Sequence, residues 1–252
     1  MKNFIDKNKK IVFNLIGICI LLLMWLLLSI LINNELVIPK ISSVAKAMLQ
    51  IISNKKIFSI IGMSIIKIMI IMAVSILISL ILAISSYKCK SFYYLIEPLI
   101  SLIKTMPLIT IIILIFMLFK MKYASLIATL LVSVPIIFEG IFNAFNNIDN
   151  DILDDVETLS NKKSMRVILN MQIPLTYPYI KTTFLQSFGL SFKIMLMAEY
   201  ISPINNTLGA EMRKYYNNNQ MEKVYCIVII SLIVVAIVDA IAKIINKKKT
   251  IA

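Results

Sequence analysis

The chain has 252 residues, of which 60% are hydrophobic and 15% are charged, whereas soluble domains are about 45–50% apolar and about 25% charged. This composition excludes a disordered chain and argues against a soluble globular domain. Because the sequence contains no histidine, Ser-His-Asp triads, HExxH zinc sites and imidazole proton shuttles are also excluded.

The net charge of +13 does not form one basic patch, because the lysines and arginines lie at the ends of apolar runs. We therefore expect no nucleic-acid partner. The three cysteines, Cys19, Cys89 and Cys226, are widely spaced and odd in number. This pattern fits neither a disulfide framework nor a zinc cluster, so we expect no metal and no cofactor.

Six apolar runs approach or exceed the length of about 20 residues that a helix needs to cross a bilayer. They lie at about residues 11–32, 61–84, 99–119, 124–145, 182–200 and 224–245. The first run follows several lysines, but it is too long for the core of a signal peptide and no small-residue cleavage site follows it. The sequence therefore predicts an all-α membrane protein in which residues 1–252 form a single transmembrane domain of six helices in the lipid bilayer.

Lysine and arginine in the short connections set the orientation of such a protein. With the N-terminus inside, the inner segments hold fifteen basic residues and the outer segments hold nine. This asymmetry predicts that both termini are cytoplasmic. The long polar connection 146–181 then faces the cytoplasm, and the connection 202–223 faces outward.

The connection 146–181 is far longer than a hairpin requires, and its pattern predicts two short helices. The first covers residues 150–161, with aspartates in its first turns, where they complement the helix dipole, and Asn161 at its end. The second begins at the potential N-cap Ser164 and is expected to stop before Pro174. From the residues alone, two interpretations stay open: a loop that rests on lipid headgroups, and a docking site for a soluble partner.

The motif Asp155-Val156-Glu157-Thr158-Leu159-Ser160-Asn161, with Met171-Gln172-Ile173-Pro174 nine residues further on, resembles the EAA loop of ABC-importer permeases. The family pattern is Glu-Ala-Ala, three residues, Gly, nine residues, Ile, any residue and Leu-Pro. The spacing is kept throughout. The residues differ at several positions, because Asp155 replaces Glu, Val156 and Glu157 replace the alanines, Asn161 replaces Gly, and Ile173 replaces Leu.

The order and spacing of further segments resemble the branch of this family that imports nitrate, sulfonates, taurine and thiamine-precursor-like solutes. These segments are residues 36–39, 64–67, 97–98, 106–108, 173–180, 197–199 and 207–209. The resemblance covers about residues 36–245. The sequence departs from the family in having only five glycines and in placing Lys120 where the family usually has Gly.

The resemblance implies a type I ABC-importer permease fold in the cytoplasmic (inner) membrane of a bacterium, with the EAA helix pair coupled to a separate ATPase subunit. The residues assigned to this coupling are Asp155, Glu157, Ser160, Asn161, Ile173 and Pro174. The resemblance also implies an extracytoplasmic solute-binding protein as a partner. It implies a homodimer as well, since six helices form half of the usual translocation pathway. The sequence agrees in lacking a phosphate-binding loop of its own, so we expect no catalysis by the chain itself.

Ionisable residues at membrane depth are candidates for the translocation pathway. The candidates are Glu139, Lys193 and Glu199. A structural ion pair between Glu139 and Lys193 is the alternative, and Lys67 is expected to extend its side chain to the membrane interface. In a pathway, Lys193 would attract an anionic solute.

Two other protein classes were weighed against the permease. A secondary transporter that works without an ATPase would carry inverted repeats and broken helices, but the sequence shows no internal repeat. An intramembrane enzyme would need clustered catalytic groups, whereas the acidic residues are scattered or lie on the cytoplasmic connection. The sequence thus favours a permease subunit for a small solute, and its charges permit an anion such as a sulfonate or nitrate.

Overall fold

The computed structural model describes the backbone of residues 2–159, 161, 163–202 and 204–249. Within these ranges the chain forms eleven α-helices, one π-helical segment and no strand. In chain order they are α1 (Lys2–Ile32), α2 (Ile41–Ser53), α3 (Lys55–Lys88), α4 (Lys90–Thr105), α5 (Leu108–Leu118), α6 (Met121–Asn146), α7 (Asn150–Leu159), α8 (Met165–Val167), the π-segment (Ile168–Gln172), α9 (Ile173–Ile201), α10 (Leu208–Asn217) and α11 (Met221–Lys249).

Four helical stretches of the described chain are long and apolar enough to cross a membrane. They are Val12–Ile32, Lys55–Lys88, Tyr123–Asn146 and Met221–Ile241. These stretches coincide with the runs 11–32, 61–84, 124–145 and 224–245 of the sequence. The run 182–200 lies within the 29-residue helix α9, whose composition is more polar because it includes Lys181, Lys193 and Glu199.

The predicted single helix over residues 99–119 is wrong. The structure has two helices there, α4 and α5, which are bent by 107° relative to each other. The break falls at Met106, which is extended (φ −64°, ψ 136°). Its successor Pro107 disfavours the helical region for the residue before it, and this explains why the helix ends here.

The structure divides into two compact units, each described by itself. The first unit comprises Met1–Phe58 and Met212–Ser231, and the second comprises Ser59–Glu211 and Leu232–Ala252. In the first unit the Trp25 indole donates to the carbonyl oxygen of Pro39 (3.1 Å) and stacks on Tyr225. The apolar side chains of α1 from Val12 to Ile32 are almost entirely exposed, which suits a helix in contact with lipid.

In the second unit, α6 packs against α9 through small residues. A Cβ atom on Gly140 would overlap the Thr183 side chain, and the Ser133 and Ser191 hydroxyls are hydrogen-bonded (2.7 Å). Buried hydroxyl groups recur through the unit at Ser64, Ser75, Ser79, Ser125, Thr129, Ser133, Ser187 and Ser191. Small and hydroxyl side chains allow close approach of helices in a membrane, where hydrophobic burial does not drive association.

The connection 146–181 is helical as predicted, with one correction. Helix α7 ends at Leu159, and Ser164 is an N-cap whose Oγ accepts from the backbone N–H of Val167 (3.3 Å). The second helix does not stop before Pro174, because the chain stays helical from Met165 to Ile201. Pro174 lies in the first turn of α9, directly after the π-segment, where its missing N–H is tolerated.

Candidate functional site

An ion pair between Lys67 and Glu199 lies inside the second unit. Glu199 on α9 is fully buried, and its Oε1 is 2.8 Å from Nζ of Lys67 on α3. Lys67 also donates to Oγ of Ser125 on α6 (2.8 Å). The prediction that Lys67 extends to the membrane interface is therefore wrong, since the carboxylate of Glu199 holds its ammonium group within the bundle.

Helix α10 begins at the same ion pair. The backbone N–H of Gly209 donates to Oε2 of Glu199 (3.4 Å), so the carboxylate accepts at the positive end of the α10 dipole. Gly209 lies so close to α9 that an added Cβ would be 2.5 Å from Leu196 O and from Tyr200 N. One carboxylate thus ties together helices α3, α9 and α10, and the serine on α6 completes the cluster.

The predicted ion pair between Glu139 and Lys193 is wrong. Glu139 on α6 pairs with Lys104 on α4, and both side chains stay about 40% exposed. Lys193 is exposed on α9 and makes no hydrogen bond or ion pair with any described residue. Lys104 was missed as a partner because it lies at the end of α4, just before the bend that the sequence analysis did not predict.

One face of α9 is exposed along the length of the helix. Its exposed residues are Thr182, Gln186, Leu190, Lys193, Met197 and Ile201, at the three- and four-residue spacing of a single helix face. Three of these six side chains are polar or charged. A face of this composition is costly against lipid, so at membrane depth it is typical of a helix that faces protein or water.

The residues predicted to couple the chain to an ATPase lie on or beside α7 and at the start of α9. Asp155 is exposed on α7, and Pro174 is exposed in the first turn of α9, next to the half-buried Ile173. Glu157 lies in α7, but its side chain is outside the described part of the structure, and Ser160 is outside it altogether. Asn161 is exposed.

The turn after α7 is closed by Asn161. Its side-chain oxygen accepts from the backbone N–H of Lys163 (2.8 Å), and its carbonyl oxygen accepts from the N–H of Ser164 (2.9 Å). An asparagine that bonds the backbone two residues on stabilises a turn. The helix predicted over residues 150–161 is described up to Leu159, and the side chain of Asn161 provides a closing hydrogen bond of the turn that follows.

The helix pair is anchored to the rest of the second unit at two points. Leu153 of α7 is buried, whereas its neighbour Ile152 is exposed. In the π-segment, the fully buried Gln172 donates from Nε2 to the Tyr87 hydroxyl at the end of α3 (3.2 Å). The role of Tyr87 could not be predicted from the sequence, because nothing in the local pattern around Tyr87 indicates a partner 85 residues away.

Long apolar helices and buried hydroxyl seams define a multi-pass membrane protein. A family profile described as "Binding-protein-dependent transport system inner membrane component" matches residues 75–251, which is more than half of the chain. The chain belongs to this family, whose members are permease components of ABC transporters and not enzymes. The resemblance to ABC-importer permeases is thereby confirmed. A search of curated proteins finds no match.

Proposed function

We propose that two copies of this chain form the translocation pathway of an ABC importer for a small solute. A separate ATPase binds at the connection 146–181 and drives alternating access, and an extracytoplasmic binding protein delivers the solute. The observation that carries this proposal is the family match over residues 75–251, which includes the whole connection.

The geometry of the connection supports a mechanical role. Helix α7 exposes Asp151, Asp154 and Asp155, while Leu153 fixes the helix to the second unit. Beyond the turn at Asn161, an uninterrupted helix runs from Met165 to Ile201. A displacement of the turn would therefore pass along α9 as a rigid-body movement, without a flexible loop to absorb it.

Replacing Asp155 with lysine is expected to reduce the amount of ATPase subunit that co-purifies with the tagged permease by about tenfold or more. The physical reason is that a reversed charge at a contact costs several kcal/mol, and 1.4 kcal/mol is tenfold in affinity. Co-purification from membranes, with both subunits quantified, measures this effect.

The matched control is Glu35→Lys, the same charge reversal at an exposed residue of the first unit. It lies in a segment predicted to face outward, so it is expected to leave the ATPase bound. Equal recovery of the ATPase with Asp155→Lys and with Glu35→Lys would contradict docking at α7.

We further propose that the exposed face of α9 lines the pathway, where Lys193 attracts an anionic solute such as a sulfonate or nitrate. Lys193 is suited to this role because its charge is exposed and not neutralised by a described residue. The half-exposed pair of Glu139 with Lys104 is proposed to line the same pathway. Glu199 is buried in its ion pair, so we propose that it positions α9 and α10 around the pathway.

Replacing Lys193 with methionine is expected to lower the uptake of an anionic solute by about tenfold, because one charge-assisted contact of 1.5–3 kcal/mol is lost. The solute is first identified by thermal shift of the partner binding protein with sulfonates, nitrate and pyrimidines. Uptake into proteoliposomes is then measured with the complete transporter. Lys193→Arg keeps the charge and is expected to retain transport, whereas unchanged uptake by Lys193→Met would remove Lys193 from the pathway.

A further inference from the structure

A cleft of about 500 Å³ lies in the second unit, where the end of α3, the start of α4, the end of α6 and helix α7 come together. It is separate from the ion pair of Lys67 with Glu199 and from the exposed face of α9. The predicted orientation of the chain places it at the cytoplasmic end of the helices. Neither the transport function nor the coupling residues assign a role to it.

Two lysines line this cleft without a counter-charge. Lys90 is exposed at the first position of α4, and Lys163 is half-buried, with its Nζ 5.9 Å from the centroid of the Tyr87 ring. Neither forms an ion pair with a described residue, and none of the described lining residues is acidic. The two positive charges therefore favour an anion in the cleft.

A buried hydroxyl group in the wall has no partner among the described residues. Ser86 is only 2% exposed, and its Oγ makes no hydrogen bond within the described part of the chain. A buried polar atom without a partner is uncommon and costs about 1–3 kcal/mol, so an acceptor bound in the cleft would relieve this cost. Asn146, which also lines the cleft, adds an amide donor that is not engaged with any described residue.

The remaining wall is aromatic and firmly packed. Tyr93 stacks on Phe142 with ring centroids 4.5 Å apart, and Tyr87 packs on Phe145 at 5.6 Å. The Tyr93 hydroxyl donates to Glu97, which does not line the cleft. Such a wall suits an organic group attached to the anion better than it suits a bare, strongly hydrated ion.

We propose that this cleft binds an organic phosphate, with the phosphate oxygens between Lys90 and Lys163 and one oxygen accepting from Ser86. Lysines bind phosphate as point charges, and hydroxyl and amide groups complete the shell of donors. Both the headgroup of an anionic phospholipid and a soluble phosphate ester have this chemistry. Occupancy would join α4 to the turn after α7 and so stiffen the helix pair on which the ATPase is proposed to dock.

The test uses the purified full-length chain and two phosphate probes. Phosphatidylglycerol binding is measured by native mass spectrometry, with phosphatidylcholine as the zwitterionic comparison, and glycerol 3-phosphate binding is measured by calorimetry. The double variant Lys90→Gln/Lys163→Gln is compared with Lys88→Gln, which removes an exposed lysine that lies at the end of α3 but outside the cleft. Ser86→Ala tests the buried donor separately.

We expect the double variant to bind at least one phosphate probe about tenfold more weakly than the parent chain, and Lys88→Gln to bind it equally well. An effect on phosphatidylglycerol alone identifies the lipid as the source, and an effect on glycerol 3-phosphate identifies a soluble ester. If the double variant and Lys88→Gln bind both probes alike, or if phosphatidylcholine binds as tightly as phosphatidylglycerol while glycerol 3-phosphate does not bind, the proposal is overturned. Because no transport is measured, the result is independent of the proposed import function.

Discussion

Replacing Lys67 with methionine is expected to destabilise the chain more than the loss of any other lysine side chain. The substitution keeps the length of the side chain but leaves the fully buried carboxylate of Glu199 with one remaining partner among the described residues, the N–H of Gly209 at 3.4 Å. Breaking a buried ion pair on one side costs about 3–5 kcal/mol. For a chain of this size the corresponding fall in the thermal midpoint is on the order of 10 °C, measured on protein purified in detergent.

The double variant Lys67→Met/Glu199→Gln separates the ion pair from simple loss of packing. It removes both charges at once, so we expect it to recover most of the lost stability. The matched control is Lys104→Met, because Lys104 and Glu139 remain about 40% exposed and such pairs contribute about 1 kcal/mol or less. Equal thermal midpoints for Lys67→Met and Lys104→Met would show that burial of Glu199 does not set the strength of its ion pair.

On the proposed function, the position of this ion pair gives it a role beyond stability. Glu199 lies near the C-terminal end of α9. The N-terminal end of α9 follows directly on the π-segment, which is preceded by α8 and the turn after α7. Its carboxylate holds α9 against α3 and receives the N-terminus of α10. On the proposed function, a movement that enters at the turn after α7 would therefore reach a fixed point at Glu199. On the proposed function, the exposed face with Lys193 lies between these two ends.

The apolar runs could be predicted from the sequence because length and composition alone decide whether a helix suits a membrane. Four of the six runs coincide with helical stretches that meet this standard. The bend between α4 and α5 was not predicted, because the length and apolar composition of residues 99–119 suit a single helix that crosses a membrane, and the break at Met106 before Pro107 does not change either property. The opposite error occurred at Pro174, where the π-segment lets the helix continue.

Features of the candidate site could be predicted only where the residues that form them are close together in the sequence. The N-cap at Ser164 and the turn at Asn161 follow from residues within three positions of each other. The partners of Lys67, Glu139 and Gln172 lie 132, 35 and 85 residues away, respectively. The periodicity of a sequence indicates which face of a helix a charged residue occupies. It does not indicate which other helix that residue contacts, so these pairings could be found only in the structure.

Replacing Gly209 with alanine is expected to be the second large effect, because the added methyl group meets backbone atoms that cannot rotate away. Its Cβ would lie 2.5 Å from Leu196 O and from Tyr200 N, and 2.6 Å from Glu199 Cβ. To relieve these contacts α10 must move off α9, which lengthens the hydrogen bond from Gly209 to Glu199 and uncovers the buried Leu208. Overpacking of this kind costs about 1–3 kcal/mol.

The same substitution at Gly62 provides the control. A Cβ at Gly62, in the N-terminal third of α3, has no atom within 4 Å, and alanine is favoured over glycine within a helix by about 0.5–1 kcal/mol. We therefore expect Gly209→Ala to lower the thermal midpoint and Gly62→Ala to leave it equal or raise it. If Gly209→Ala were as stable as Gly62→Ala, α10 would not rest on the backbone of α9. The buried carboxylate of Glu199 would then depend on Lys67 and not on the N-terminus of α10.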